Sequence, residues 1–249
     1  MTTPVKPDAY LAVRILSDPA VLEEYLSKNL GPQGLLAIEN AILDESVTCT
    51  ANHARAAFLY ARVAVQGRWK AGERVILEAT RLVDDHFDEA NKDVVEAAES
   101  YRELAFGSKS WPELVAMIRC GQCHPYFVVS YCLKSRLNLK AEAAEGLLST
   151  PLSDEDEAAE QEKRRQLACA AEDYADHVTK GRWEAGEKLL SGFPFEMRCY
   201  AQFTLKQPLP DHLHAEMVMR SYETPDDPDI RDYFKCCSEW AAAARGGAP

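Results

Sequence analysis

The sequence predicts an all-α protein, built as an irregular α-solenoid-like array of helical hairpins, and three observations carry that expectation. First, Gln66-Gly67-Arg68-Trp69-Lys70-Ala71-Gly72-Glu73 returns nearly verbatim as Lys180-Gly181-Arg182-Trp183-Glu184-Ala185-Gly186-Glu187. Second, in both copies a tyrosine followed by alanine stands seven residues before the first glycine, Tyr60-Ala61 and Tyr174-Ala175. Third, the residues on either side recur with helical rather than strand spacing. A duplicated string flanked by two amphipathic stretches is the mark of a repeated helix-turn-helix unit.

The unit reads from its residues. Ala54 to Gln66 places Phe58, Leu59, Val63 and Val65 on a broad apolar stripe without a proline to interrupt it. Gly67 is expected just beyond that helix in the left-handed conformation, which costs a residue without Cβ nothing. Trp69 then opens the second helix as a wedge, and Glu73 suits the positive end of its dipole. Gly72 and Gly186 each cost about 1 kcal/mol relative to alanine inside a helix. Their recurrence at one place implies close backbone approach, with the tyrosine of the preceding helix as the expected neighbour.

Weaker copies fit the same frame. Tyr101 to Leu114 keeps the tyrosine, Gly107 and Trp111, with Pro112 at a first-turn position. Tyr200 to His214 keeps Tyr-Ala, replaces glycine by Gln207-Pro208 and puts Leu209 in the tryptophan's place. Fainter copies start at Tyr131 and Tyr25. The six anchors Tyr25, Tyr60, Tyr101, Tyr131, Tyr174 and Tyr200 are separated by 35, 41, 30, 43 and 26 residues. So loose a period points to worn hairpins with insertions instead of a regular stack. The Tyr-Ala helix with its Gly-Arg-Trp-x-x-x-Glu turn resembles a degenerate helical repeat of bacteriophage and mobile-element proteins. Lys70 and Glu184 stand where that repeat has proline, which only Trp111-Pro112-Glu113 retains. The resemblance implies a helical array and no activity.

In chain order, Met1 to Asp8 is expected as a loose tail and Tyr10 to Ser17 as a short helix. Asp18-Pro19 reads as an N-cap and first helical residue. Gly31 to Gly34 is expected to break the helix, with Leu35 to Leu43 resuming it. The helix after Trp69 runs to Val83, Asp84 to Asp88 connects, Asn91 to Phe106 is a helix, and the one after Trp111 ends near Arg119. Thr150-Pro151-Leu152-Ser153 is a stop, with Ser153 capping a long solvated helix that carries acids first, then Lys163-Arg164-Arg165, and reaches Tyr174. This stop divides the chain into N-terminal repeats at 1-149 and C-terminal repeats at 150-249, with one continuous array as the alternative. Asp229 is expected to cap a last helix, Ile230 to Arg245.

Composition narrows the function. An apolar fraction of 47% supports a packed core, and no run approaches the roughly 18 apolar residues of a membrane span. Eight cysteines without a leader-like start place the chain in a reducing cytoplasm with free thiols. A net charge of −12 disfavours direct contact with nucleic acid. Arg68, Lys70, Lys109, Arg136, Lys180 and Arg182 nevertheless collect at the predicted turns and define a basic edge as a candidate partner surface. Cations are also favoured in the last turn of any helix, which explains the same distribution without a partner.

Candidate chemistry is sparse. Cys120-Gly121-Gln122-Cys123-His124 matches the pattern of covalent haem attachment, and with Cys132 it offers a tetrahedral donor set for zinc. A helix end with packed thiols explains the same residues. His212 and His214 point about 200° apart on a helix and read as surface histidines. Asp226, Asp227 and Asp229 lack the glycine and terminal glutamate of a calcium loop. Gly107-Ser108-Lys109-Ser110 lacks the upstream glycine of a phosphate loop. No catalytic set and no cofactor is expected. The leading expectation is a non-catalytic module that binds another protein. The others are an acidic inhibitor that imitates nucleic acid, motivated by Asp154 to Glu162, and a metal or haem protein at Cys120, Cys123 and His124.

Overall fold

The computed structural model describes residues 18–28, 31–44, 51–82, 89–152 and 157–246. Every element among them is helical, so the expected all-α class holds. The expectations for Met1 to Ser17, Val83 to Asp88 and the Ser153 cap lie outside the described residues. The chain divides into two compact units, 1–139 and 140–249. The sequence had placed its division ten residues later, at the Thr150-Pro151 stop.

In the first unit, α1 (Pro19–Ser27) begins on Asp18, whose side chain accepts the Ala20 N–H at 2.9 Å. Pro32 opens α2 (Pro32–Ile42), so this helix starts three residues before the expected Leu35 and absorbs Gly34. Proline at a first helical position loses no intrahelical hydrogen bond, which lets the break fall before it. Next come α3 (Ala51–Tyr60), α4 (Lys70–Ala79), α5 (Glu89–Phe106), α6 (Pro112–Arg119) and α7 (Pro125–Lys134). Helix α3 packs against α1, α2, α4 and α5, and α5 also meets α7. The buried side chains include Leu22, Ile38, Ile42, Ile76, Tyr101, Trp111, Phe127 and Tyr131. The Thr80 carbonyl, at the end of α4, accepts the His124 N–H at 2.9 Å and fixes where α7 starts.

The second unit holds α8 (Lys140–Ser149), α9 (Glu157–Asp173), α10 (Glu187–Leu190), α11 (Pro194–Cys199), α12 (Asp211–Glu223) and α13 (Pro228–Gly246). Its core gathers Leu190, Met197, Tyr200, Leu209, Leu213, Met217, Ile230 and Tyr233. The cap of α13 is Asp227 and not the expected Asp229, since its carboxylate accepts the Asp229 and Ile230 N–H groups. Pro228 at the first helical position requires its cap one residue earlier.

The three Tyr-Ala copies share a feature that periodicity does not reveal. After Tyr60, and from Tyr174 and Tyr200 onward, the helix widens into a π-turn: Ala61–Val65, Tyr174–Thr179 and Tyr200–Leu205. Each ends on a left-handed residue, Gln66 (φ 58°), Lys180 (φ 57°) or Lys206 (φ 54°). The left-handed residue thus falls one position before Gly67 and Gly181, the glycines expected to hold it. The alanine carbonyl accepts from both residues at the cap, with the second bond at 3.2 Å for Gly67, 3.1 Å for Gly181 and 3.3 Å for Gln207. In the Tyr101 copy the helix stays α-helical to Phe106, and the glycine itself, Gly107, is left-handed at φ 62°.

Candidate functional site

The repeated string builds a latch. Arg68 Nε and Nη2 grip the Glu73 carboxylate at 2.6 and 3.1 Å, and Arg182 holds Glu187 at the same two distances. Tyr101, from the following hairpin, accepts the Trp69 N–H at 2.9 Å and donates to Glu73 at 3.1 Å. Tyr200 repeats this on Trp183 and Glu187 at 2.9 and 3.3 Å. A helix N-terminus leaves backbone donors without internal partners, and here a tyrosine of the next hairpin supplies the acceptor. Burial first, and then the neighbouring glutamate, pushes the Tyr200 hydroxyl up to about 12 and raises Tyr101 as well, so both stay protonated donors.

The tryptophan ring completes the latch. A Cβ on Gly72 would fall 2.1 Å from Cε3 of Trp69, and one on Gly186 equally close to Cε3 of Trp183. These glycines therefore make room for the indole of their own turn, which corrects the expectation that they admit the preceding tyrosine. That tyrosine packs on the indole instead, at 4.6 Å between Tyr60 and Trp69 and 4.5 Å between Tyr174 and Trp183.

Residues whose role was not legible complete the set. Tyr233 accepts the Leu209 N–H at 3.2 Å and binds His214 Nδ1 at 2.6 Å, so Leu209 does occupy the tryptophan's place and His214 is no surface histidine. His212 lies 3.4 Å from Glu187. Arg102 is 1% exposed, pairs with Glu99 at 2.7 and 2.8 Å and donates to the Gly107 and Lys109 carbonyls. Burial raises the Glu99 pKa, but Arg102, the Arg136 N–H and Tyr131 outweigh it and hold the carboxyl below its ordinary range. The one signal for the Arg68–Glu73 latch was the repeated five-residue spacing of arginine and glutamate; Glu99–Arg102 occurs once and gave none.

The latch consumes part of the expected basic edge. Arg68 also reaches Glu113 at 3.3 Å and lies over the Phe106 ring at 4.8 Å, and Arg136 pairs with Glu103 at 3.4 Å. Lys70, Lys109 and Lys180 are exposed. The cysteine cluster is not drawn together either. Cys120 is exposed at the end of α6, whereas Cys123 is buried with the Thr80 hydroxyl donating to it at 3.3 Å, and burial pushes its thiol up to about 11. His124 caps α7 and Cys132 lies two turns along it. Among the described residues no three His, Cys, Asp or Glu side chains form a set that could hold a metal ion. No described helix is long and apolar enough to cross a membrane.

In the first unit the latch makes no use of one face of α3 and one face of α5. On α3 and the π-turn that follows it stand Arg55, Phe58, Leu59 and Arg62, and on α5 Asp93, Glu96, Ala97 and Ser100, each set at i, i+3, i+4, i+7. Together with Ala20 and Glu23 of α1 they line a cleft of about 280 Å³. Arg55 binds Asp93 at 2.9 Å and Arg62 binds Glu23 at 2.6 Å.

In the second unit, the positions five and two before, one before and two after Tyr174 are Cys169, Glu172, Asp173 and Asp176. These are the places that Arg55, Phe58, Leu59 and Arg62 hold around Tyr60. Burial, then the charges of Asp173 and Asp176, pushes Glu172 up to about 7. Burial also raises Glu196, whose carboxylate accepts from Cys169 at 3.4 Å. His177 lies 3.2 Å from Asp176.

No protein-family model, no curated protein and no solved structure matches the chain.

Proposed function

We propose that this protein is a non-catalytic helical-repeat module that binds another protein through the first-helix face of its hairpins. The observation that carries the reading is a division of labour. The shared geometry of the two strong copies is spent on Trp69, Trp183 and their latch partners, which close each turn and, through Tyr101 and Tyr200, tie it to the next hairpin. The residues facing the cleft instead differ from copy to copy, with Arg55 and Phe58 at places where the second unit has Cys169 and Glu172. Constant packing with a variable face is how repeat arrays separate architecture from recognition. The nucleic-acid mimic has less support: on α9, Glu160 pairs with Arg164 at 2.5 Å and Glu162 with Arg165 at 2.8 Å, which interrupts the row of free carboxylates.

The test is isolation of a complex from the native host with the tagged full chain, followed by reconstitution from purified components. A stoichiometric complex that survives purification is expected. Reconstitution that yields only the free chain with every captured protein would sink the reading.

A further inference from the structure

We propose that the cleft between α1, α3 and α5 receives a lysine or arginine side chain from a basic segment of the partner; this rests on the interaction reading above. Two cations and three carboxylates line it. Arg55 and Arg62 are each engaged by Asp93 and Glu23, both pairs part-exposed. The carboxylate left over is Glu96, which is exposed and has no hydrogen bond or ion pair among the described residues. The cleft therefore keeps one uncompensated negative charge.

Its walls suit the rest of such a side chain. Phe58, Leu59 and Ala97 are apolar surfaces for a methylene stem, and the Ser100 hydroxyl stands one turn from Glu96 to accept from the charged tip. At about 280 Å³ the space lies under the roughly 300 Å³ where sites for drug-sized molecules begin, so it fits one long side chain better than a cofactor. The chain's net charge of −12 draws a cationic segment toward it.

The test is an NMR titration of the full chain with the acetylated, amidated peptide Gly-Ser-Lys-Gly-Ser, beside a peptide in which norleucine replaces lysine. The lysine peptide is expected to move the Ala97 and Ser100 amides saturably. Glu96→Gln, and separately the norleucine peptide, should weaken binding about fivefold. Glu157→Gln makes the same charge change outside the cleft, at an exposed position, and should leave binding unaltered. Unmoved cleft amides, or equal effects of the two substitutions, overturn the proposal. A native complex that forms as well with Glu96→Gln as with the unaltered chain would discard the cleft and keep the interaction reading, whereas absence of any native complex removes both.

Discussion

The Leu209 N–H donates to the Tyr233 hydroxyl across 3.2 Å, although Pro208, Leu209 and Leu213 stand where the strong copies have arginine, tryptophan and glutamate. The tyrosine bond thus outlasts the string that first revealed it. It persists because a buried N–H at a helix start needs an acceptor whatever the neighbouring side chains are.

Tyr101→Phe and Tyr200→Phe remove that acceptor and leave the Trp69 or Trp183 N–H without it. Each should destabilise its unit by about 1 to 3 kcal/mol in chemical denaturation. Tyr222→Phe, at 80% exposure, is the control and should change nothing. Equal midpoints for all three variants would contradict the latch.

Glycine positions separate wedge from cap. Gly72→Ala and Gly186→Ala should lower stability by about 1 to 3 kcal/mol through overpacking, despite the gain in helix propensity, since the new Cβ meets a fixed indole and not a free side-chain end. Gly67→Ala and Gly181→Ala meet nothing within 4 Å and should lie within about 0.5 kcal/mol of the parent. Lys180→Gly relieves a left-handed lysine and should stabilise by up to about 1 kcal/mol. Thermal melts read all five.

Glu187 is 1% exposed and accepts from Arg182 and Tyr200. Arg182→Ala should cost more than Glu187→Gln in denaturant midpoint. Loss of the arginine leaves the buried Glu187 carboxylate without its two-bond partner, whereas glutamine removes the charge and still accepts from Tyr200. Equal costs would refute that asymmetry.

Glu172 gives a pH signature. Its folded pKa, about 7, lies above the unfolded value near 4.5, so the folded chain holds the extra proton between those limits. Stability contributed by this group is therefore present at acidic pH and falls as pH rises from about 4.5 through about 7. Glu172→Gln should flatten that decline and raise the melting temperature at pH 8. An unchanged profile would show that the carboxyl stays ionised throughout.

Thiol accessibility checks the cysteine cluster. A maleimide should label exposed Cys120 in the folded chain and reach buried Cys123 only in denaturant. Comparable labelling of both under native conditions would overturn the placement of Cys123 beside Thr80.

The all-α class and the helices on either side of each repeated turn were legible from residue order, because they depend on spacing along one or two adjacent helices. Asp18 at its cap followed from local chemistry, and Leu209 in the tryptophan slot from alignment to the repeated string. The π-turns, the partner of each latch tyrosine and the cleft were not legible. Tyr101 lies 32 residues from Trp69 and Tyr200 only 17 from Trp183, so no fixed offset announces the bond they share. Glu96 looks like any solvated acid until α3 and α5 are side by side. Contacts within a turn are set by geometry the chain carries at every residue, whereas contacts between hairpins arise only when packing brings distant residues to one place.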